Sequence, residues 1–204
     1  MLLKSLDTKI IKTDYHKGDY MQDDKQRWNE RYLENPMPET VSPLLERYIG
    51  HAKVGQAIDV ACGTGRNTHY LAEKGFTVDA VDISDHALKS VKNSSMIKKV
   101  DADLDKYNLT PNKYDLIVNI NYLNRRLVSQ MKDALKSGGL LIFETFIVAH
   151  GDFNMPTMNL DFLLRKNELL HSFIGLEVIY YEEKIDVNIK GERTKVASLV
   201  AKKV

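Results

Sequence analysis

Apolar residues in the middle of the chain gather into short runs, and each run leads into a stretch whose apolar positions recur at helical spacing. Residues 57–61 form the first such run and predict a buried strand. Gly63-Thr64-Gly65 then predicts a tight turn, and residues 66–74 a helix closed by Gly75. Residues 76–82 read as the next strand, after which Ser84 suits the cap of a helix through Ala87, Leu88 and Val91. Residues 97–100 give a third strand and 114–120 a fourth, followed by a helix near 125–135. Ser137-Gly138-Gly139 predicts a turn into a fifth strand at 140–145. Strand–helix units repeated in this way specify a mainly parallel sheet with helices on both faces. Residues 173–182 and 194–200 read instead as two strands without room for a good crossover helix, so they should pair antiparallel at one side of the sheet.

Before the alternation begins, the first twenty or so residues keep no period and read as an arm. Residues 23–34 predict a helix with Trp28, Tyr32 and Lys25 on one face, stopped by Asn35-Pro36-Met37-Pro38. A short second helix is expected from Pro38 or Glu39 to Tyr48, turning Leu44, Leu45 and Tyr48 inward. The expected organisation is an arm and helix over 1–38, forming part of a cap, and one α/β domain over 39–204.

Composition narrows the class. A chain of 204 residues with 43% hydrophobic and 28% charged residues fits one soluble globular domain. No apolar run is long enough to cross a bilayer, and Asp7 and Lys9 interrupt any leader-like core, so a cytoplasmic protein without a membrane partner is expected. The single cysteine, Cys62, allows neither an intramolecular disulfide nor a thiolate metal cluster within one chain. The six histidines are dispersed without ligand spacing, so no metal is expected. With a net charge of +1, the Lys98-Lys99 and Lys202-Lys203 pairs read as solvated surface, and no nucleic-acid partner is implied.

The chemistry concentrates where the first strand meets its helix. Gly63 and Gly65 permit close backbone approach, so a ligand can lie against the turn. Asp82 ends the second strand, where a carboxylate can accept two ribose hydroxyls in the crevice beyond the strand ends. Asp103, followed by Leu104, comes after the third strand and can receive an adenine amine, with Asp101 as its rival. A dinucleotide fingerprint needs a third glycine where Thr68 stands, and no phosphate-loop lysine is present. The pocket therefore suits a nucleoside without phosphates.

Taken together, Asp59-Val60-Ala61-Cys62-Gly63-Thr64-Gly65, Asp82, Asp103-Leu104, Tyr114-Asp115-Leu116-Ile117-Val118 and Ser137-Gly138-Gly139 resemble the motifs of class I S-adenosylmethionine-dependent methyltransferases. That resemblance implies a doubly wound seven-stranded sheet ordered 3-2-1-4-5-7-6 with strand seven antiparallel. It also implies that Asp59 lies near the cofactor's amino group or orders the turn. Ala61, Cys62, Gly63, Gly65, Asn67, Asp82, Ile83, Asp103, Leu104 and Asn119 would line the S-adenosylmethionine site with it. The segment Lys25 to Tyr32, Gly65-Arg66-Asn67, Phe143-Glu144-Thr145-Phe146 and the block from Asn159 to Glu168 resemble the tellurite-resistance-type branch of small-molecule methyltransferases, with Asn29 in place of the usual Asp.

On the acceptor side, methyl transfer needs mainly in-line positioning and exclusion of water. Glu144, Tyr122 and Arg125 are the candidate catalytic residues: Glu144 to order the pocket or take a proton, or else to serve as a structural hydrogen-bond partner. Tyr122 would pack on cofactor or acceptor. Arg125 and Arg126 would hold an anionic acceptor or else be solvated helix residues. Trp28 and Tyr32 anchor the first helix, Phe146 ends the fifth strand, and the stretch from His150 to Asn159 reads as a lid. The expected activity is methyl transfer from S-adenosylmethionine to a small-molecule acceptor, giving S-adenosylhomocysteine. A nucleotide-dependent oxidoreductase and a non-catalytic binder of the same cofactor are the alternatives. A nucleic-acid base methyltransferase would carry an Asn/Asp-Pro-Pro-aromatic motif where this chain has Asn119-Ile120-Asn121-Tyr122.

Overall fold

The computed structural model describes residues 19–34, 39–149, 159–187 and 191–204, with side chains from residue 24 onward. The predicted arm, the stop at residues 35–38 and the stretch 150–158, His150 included, lie outside the described residues. The elements run α1 (Asp19–Glu34), α2 (Pro43–Tyr48), β1 (Gln56–Val60), α3 (Arg66–Glu73), β2 (Thr77–Asp82), α4 (Asp85–Ser90), β3 (Ile97–Asp101), β4 (Tyr114–Ile120), α5 (Arg125–Ala134), β5 (Leu135–Phe146), α6 (Glu168–Ser172), β6 (Glu177–Val187) and β7 (Arg193–Lys202). Short 3₁₀ turns follow α2 at Ile49–His51 and precede α6 at Leu160–Phe162.

The seven strands form one sheet in the order β3-β2-β1-β4-β5-β7-β6. β1 to β5 pair parallel, and β7 runs antiparallel to both β5 and β6. Strand alternation divides the core. Leu116, Val118, Leu140, Ile142 and Val200 face one side, where Leu44 and Leu45 of α2 and Leu71 of α3 cover them. Ile117, Leu141, Phe143 and Leu199 face the other, under Leu127 and Met131 of α5 and Leu169 of α6. Cys62, Ala80, Leu88 and Val91 form a smaller cluster where α4 packs beside β2. Ser84 caps α4 by accepting the Ala87 N–H at 3.0 Å, and Gly75 at φ +90° closes α3.

Several boundaries differ from the sequence reading: β6 spans Glu177–Val187 instead of 173–182, behind an unexpected short helix, α6, and α2, β5 and α1 differ as well. α2 starts at Pro43, several residues later than expected, because a residue before proline avoids the helical region; Ser42 sits at φ −60°, ψ 127°, and Pro43 fills the first helical turn. β5 starts at Leu135 instead of 140. Gly138, at φ +77°, lets the strand absorb an irregularity in its pairing with β4 instead of turning out of the sheet. A Cβ on Gly139 would lie 2.8 Å from the Lys136 carbonyl oxygen and 2.9 Å from that of Tyr114, so the close backbone approach there excludes a side chain. α1 begins earlier than predicted, at Asp19 rather than Asp23. No helix among the described residues is long and apolar enough to cross a membrane.

Candidate active site

The parallel strands β1 to β5 end along one edge, and the turn after β1 is the most contorted backbone there. Ala61 at φ +54°, Gly63 at +55° and Gly65 at +88° alternate with ordinary residues. Glycine takes such angles readily, whereas Ala61 takes them at a cost of roughly 1 kcal/mol. Hydrogen bonds hold the turn in place: Cys62 N–H to the Val81 carbonyl (3.0 Å) and Gly65 N–H to the Cys62 carbonyl (3.1 Å). A Cβ on Gly65 would meet Val91 Cγ2 at 2.8 Å, so this glycine is required by packing against α4 as well as by its φ.

Asp82, 4% exposed, closes the crevice beside the turn. Its Oδ2 accepts the Gly63 N–H at 2.8 Å and its Oδ1 the Ser84 N–H at 2.9 Å. Burial raises its carboxyl above the usual range, against the opposing pull of these N–H groups. An ionised carboxylate offers about four lone-pair positions, so two remain for a pair of hydroxyls. Asp59, 1% exposed at the end of β1, accepts the Thr68 hydroxyl at 2.7 Å. Burial pushes this carboxyl up to about 7. Thr68 stands where a dinucleotide site would carry its third glycine, and here its hydroxyl is the hydrogen-bond partner of a buried acid.

At the next strand ends, Asp101 is exposed and pairs with Lys25 of α1 at 2.6 Å. Asp103 turns its Oδ1 to the Asp105 N–H (2.9 Å) and its Oδ2 toward Lys106 (3.5 Å). Arg126 holds this loop from below, donating to Asn108 Oδ1 and to the Leu104 and Tyr107 carbonyls. Asn124 adds bonds to the Leu104 carbonyl and Asp105. Tyr122 lies on the same side; burial pushes its hydroxyl up to about 12, reinforced by the carboxylates of Asp105, Asp103 and Asp82. Asn119, 0% exposed at the end of β4, donates to the Tyr122 carbonyl at 2.7 Å, while its Oδ1 has no partner among the described residues. A buried acceptor left unpaired is costly, so this atom fits a donor supplied by a bound molecule.

Glu144 lies two residues before the end of β5 and is buried. Its Oε2 accepts the Ser198 hydroxyl at 2.5 Å and lies 3.6 Å from Lys184 Nζ, both on strands distant in sequence. Phe146 is half-buried, and its carbonyl accepts the Leu164 N–H. Arg125 is turned away from this group. It grips Glu168 with two bonds (2.6 and 3.1 Å) and the carbonyls of Asp161 and Leu163 (2.6 and 2.8 Å), locking the segment before α6 onto α5. A surface concavity of about 620 Å³ beside it is lined by Arg125, Arg165, Lys166, Glu168, His171 and Ser172, none of them from the strand-end crevice.

α1 lies across the crevice. Asn29 Oδ1 accepts the Ser84 hydroxyl (2.6 Å) and the His86 N–H (3.3 Å), and its Nδ2 donates to Asp85 Oδ1 (2.9 Å). Only an amide can accept and donate in this way, which gives the departure from Asp at position 29 a physical reason. Asn29 and then Lys89 hold the Asp85 carboxyl low, at about 2. Tyr32 covers the turn itself, its hydroxyl only 2.8 Å from where a Gly63 Cβ would be. Trp28 stacks at a tilt beside Tyr32, with the Arg31 guanidinium over its ring.

The structure thus gathers Ala61, Cys62, Gly63, Gly65, Asp59, Asp82, Ile83, Asp103, Leu104, Asn119, Tyr122, Trp28 and Tyr32 around one crevice, with Glu144 and Phe146 beyond it. Asn67 is not turned to a ligand: its Oδ1 accepts the Ser42 N–H at 3.0 Å and fixes the start of α2. Arg125 and Arg126 brace loops. The sequence reading missed Asn29, Ser198, Lys184 and Arg66, which is half-buried in the first turn of α3. Of these, only Asn29 and Arg66 carried a signal, since both fall inside the motifs.

The family model described as "Tellurite resistance protein TehB" matches residues 24–197. A probable S-adenosyl-L-methionine-dependent methyltransferase TehB of Haemophilus influenzae is 26% identical over 167 residues, covering 72% of this chain and 57% of that protein. A putative methyltransferase of Geobacillus sp. is 27% identical over 147 residues, 66% of this chain and 58% of that protein. The chain spans little more than half the length of these curated relatives. The crystal structure of TehB from Haemophilus influenzae superposes with a TM-score of 0.70 at 20% identity, covering 87% of this chain and 67% of that one. The [4+2]-cyclase SpnF shares the fold with a TM-score of 0.61 at 15% identity, over 78% of each chain, so the fold by itself does not fix the reaction.

Proposed function

Since the chain belongs to the TehB tellurite-resistance family, we propose that its strand-end crevice binds S-adenosylmethionine and that it transfers the methyl group to a small-molecule acceptor. The observation that carries this reading is the buried Asp82 carboxylate. It fixes the glycine turn through Gly63 and keeps two acceptor positions for a ribose.

Asp82 holds the sugar hydroxyls, and the loop from Asp103 to Asn108, braced by Arg126 and Asn124, sides the adenine with Leu104 and Tyr122. Asn119 Oδ1 and Asp59 accept from the ammonium of the amino-acid end. When bound, the cofactor supplies an electrophilic methyl carbon on a sulfonium. Tyr32 and Trp28 of α1 cover that centre and exclude water, which strengthens every charge interaction beneath them. Glu144, ordered by Ser198 and Lys184, lines the acceptor side, where in-line placement supplies most of the rate.

The test uses the purified full chain with S-adenosylmethionine tritiated on the methyl group and a panel of oxyanions, thiols, amines and carboxylic acids. Acceptor-dependent movement of tritium into the acceptor, with an equal amount of S-adenosylhomocysteine formed, is expected. Retention of the cofactor without turnover on any acceptor would favour a non-catalytic binder.

A further inference from the structure

The two cations expected to hold an anionic acceptor are engaged by the protein itself. Arg125 closes on Glu168 and the Asp161 and Leu163 carbonyls, and Arg126 on Asn108 and the Leu104 and Tyr107 carbonyls. What β5 offers in their place is a carboxylate. Glu144 pairs with Ile120 of β4, one position beyond the pairing of Asn119 with Phe143. Its carbonyl accepts the Asn121 N–H at 2.7 Å, which joins it to the turn that carries Tyr122. The two side-chain oxygens are used unequally. Oε2 accepts the Ser198 hydroxyl at 2.5 Å and lies 3.6 Å from Lys184 Nζ, whereas Oε1 has no hydrogen bond among the described residues. Lys184 is also the one cation within 4 Å of this carboxylate among those residues. An anchored carboxylate with a free oxygen accepts hydrogen bonds and donates none.

Strand alternation sets the half-buried Phe146 on the same face of β5, two residues on. A carboxylate beside an aromatic ring selects a donor that carries or acquires positive charge. Charge movement in methyl transfer favours the same class. When a neutral amine attacks the sulfonium methyl, the nitrogen lone pair forms the new bond to carbon. The sulfur–carbon bond breaks with its pair left on sulfur, and the positive charge passes from sulfur to nitrogen. A negative group placed where that charge arrives is held more tightly in the transition state than before it. An oxyanion or thiolate acceptor would instead approach Glu144 as a like charge. We propose that the acceptor is an amine, that it donates an N–H to Glu144 Oε1 while its lone pair faces the methyl group, and that Glu144 is thereby a catalytic residue. The product is an N-methylammonium, which loses its extra proton to solvent. The assignment rests on the proposed binding of S-adenosylmethionine in the crevice.

The test measures transfer of tritium from methyl-labelled S-adenosylmethionine by the purified full chain. The probes are ethanolamine, butylamine and phenethylamine, set against tellurite, selenite and mercaptoethanol. Tritium should pass to at least one amine in preference to the oxyanions and the thiol. Glu144→Gln keeps a partner for Ser198 but loses the charge. Its kcat/KM for that amine should fall by about 10- to 100-fold, while calorimetry finds S-adenosylmethionine bound within about twofold of the native chain. Glu144→Asp, which keeps the charge on a shorter side chain, should be the less impaired of the two, and it serves if the glutamine variant unfolds. Amine turnover undiminished in both variants overturns the role of Glu144. Transfer to an oxyanion or the thiol in preference to every amine, or cofactor binding with no amine methylated, overturns the acceptor class while leaving the crevice reading intact. Failure of the native chain to bind S-adenosylmethionine overturns the reading on which both rest.

Discussion

Replacing Asp59 by asparagine should change how stability depends on pH more than it changes the fold. The carboxyl is buried against Thr68, and burial pushes it from an ordinary 3.8 up to about 7. Below about pH 4 the group is protonated in both folded and unfolded chains, and folding is insensitive to it. Between about pH 4 and 7 the unfolded chain has released a proton that the folded chain retains, so stability falls as pH rises through this window. Above about pH 7 both forms are ionised and the loss is complete. A shift of roughly three units at 1.36 kcal/mol each amounts to about 4 kcal/mol, or roughly 10 °C in melting temperature for a chain of this size. Asparagine carries no such contribution and still accepts from Thr68 through its carbonyl. Asp82, also raised by burial, titrates in both proteins and largely cancels in the difference. Urea unfolding at half-unit steps from about pH 4 to 8 should therefore show Asp59→Asn gaining on the native chain by several kcal/mol, all of it before about pH 7.5. Parallel stability curves for the two proteins would refute the reasoning.

Other substitutions probe the crevice and its cover. Gly63→Ala forces a side chain into φ +55° and brings its methyl to 2.8 Å from the Tyr32 hydroxyl; a stability loss of about 1–2 kcal/mol and roughly tenfold weaker retention of S-adenosylmethionine are expected from unfolding and binding assays. Asn29→Asp places a second carboxylate beside Asp85 and removes a donor, so α1 should loosen. Trp28 is the single tryptophan, and a red-shifted emission with faster proteolysis of α1 would report this directly, whereas unchanged emission would argue against Asn29 holding α1 in place. Arg125→Ala breaks the grip on Glu168 and should destabilise the chain by about 1–3 kcal/mol while leaving cofactor affinity within about twofold, as checked by unfolding and titration.

The central sheet was legible because its strands are apolar runs with turn residues between them, and because the resemblance implied the order in which they lie. Ser42-Pro43 and Gly138-Gly139 misled by opposite routes. Ser42-Pro43 delays a helix that apolar spacing starts early, whereas Gly138-Gly139 has the composition of a turn but serves as a strand irregularity. Within the site, Asp82 was singled out by its place at a strand end and Gly63 by the turn after β1, whereas Asn119 came only from the resemblance. Asn67 was not, because its partner is the backbone of Ser42, set by how α2 docks. Arg125 and Arg126 open a helix near the crevice, but their partners, Glu168 and the loop carbonyls, are brought to them only by tertiary packing. Ser198 and Lys184 reach Glu144 from the antiparallel pair of strands, a juxtaposition that no local pattern encodes.

An adenosyl group held at Asp82 over the first glycine turn underlies every functional step proposed for this chain. Titration of the purified chain with S-adenosylmethionine tests this directly, with S-adenosylhomocysteine and NAD as competitors. Saturable binding of one molecule per chain, displaced by S-adenosylhomocysteine and indifferent to NAD, is the predicted result. Absence of binding, or displacement by NAD as readily as by S-adenosylhomocysteine, would contradict it.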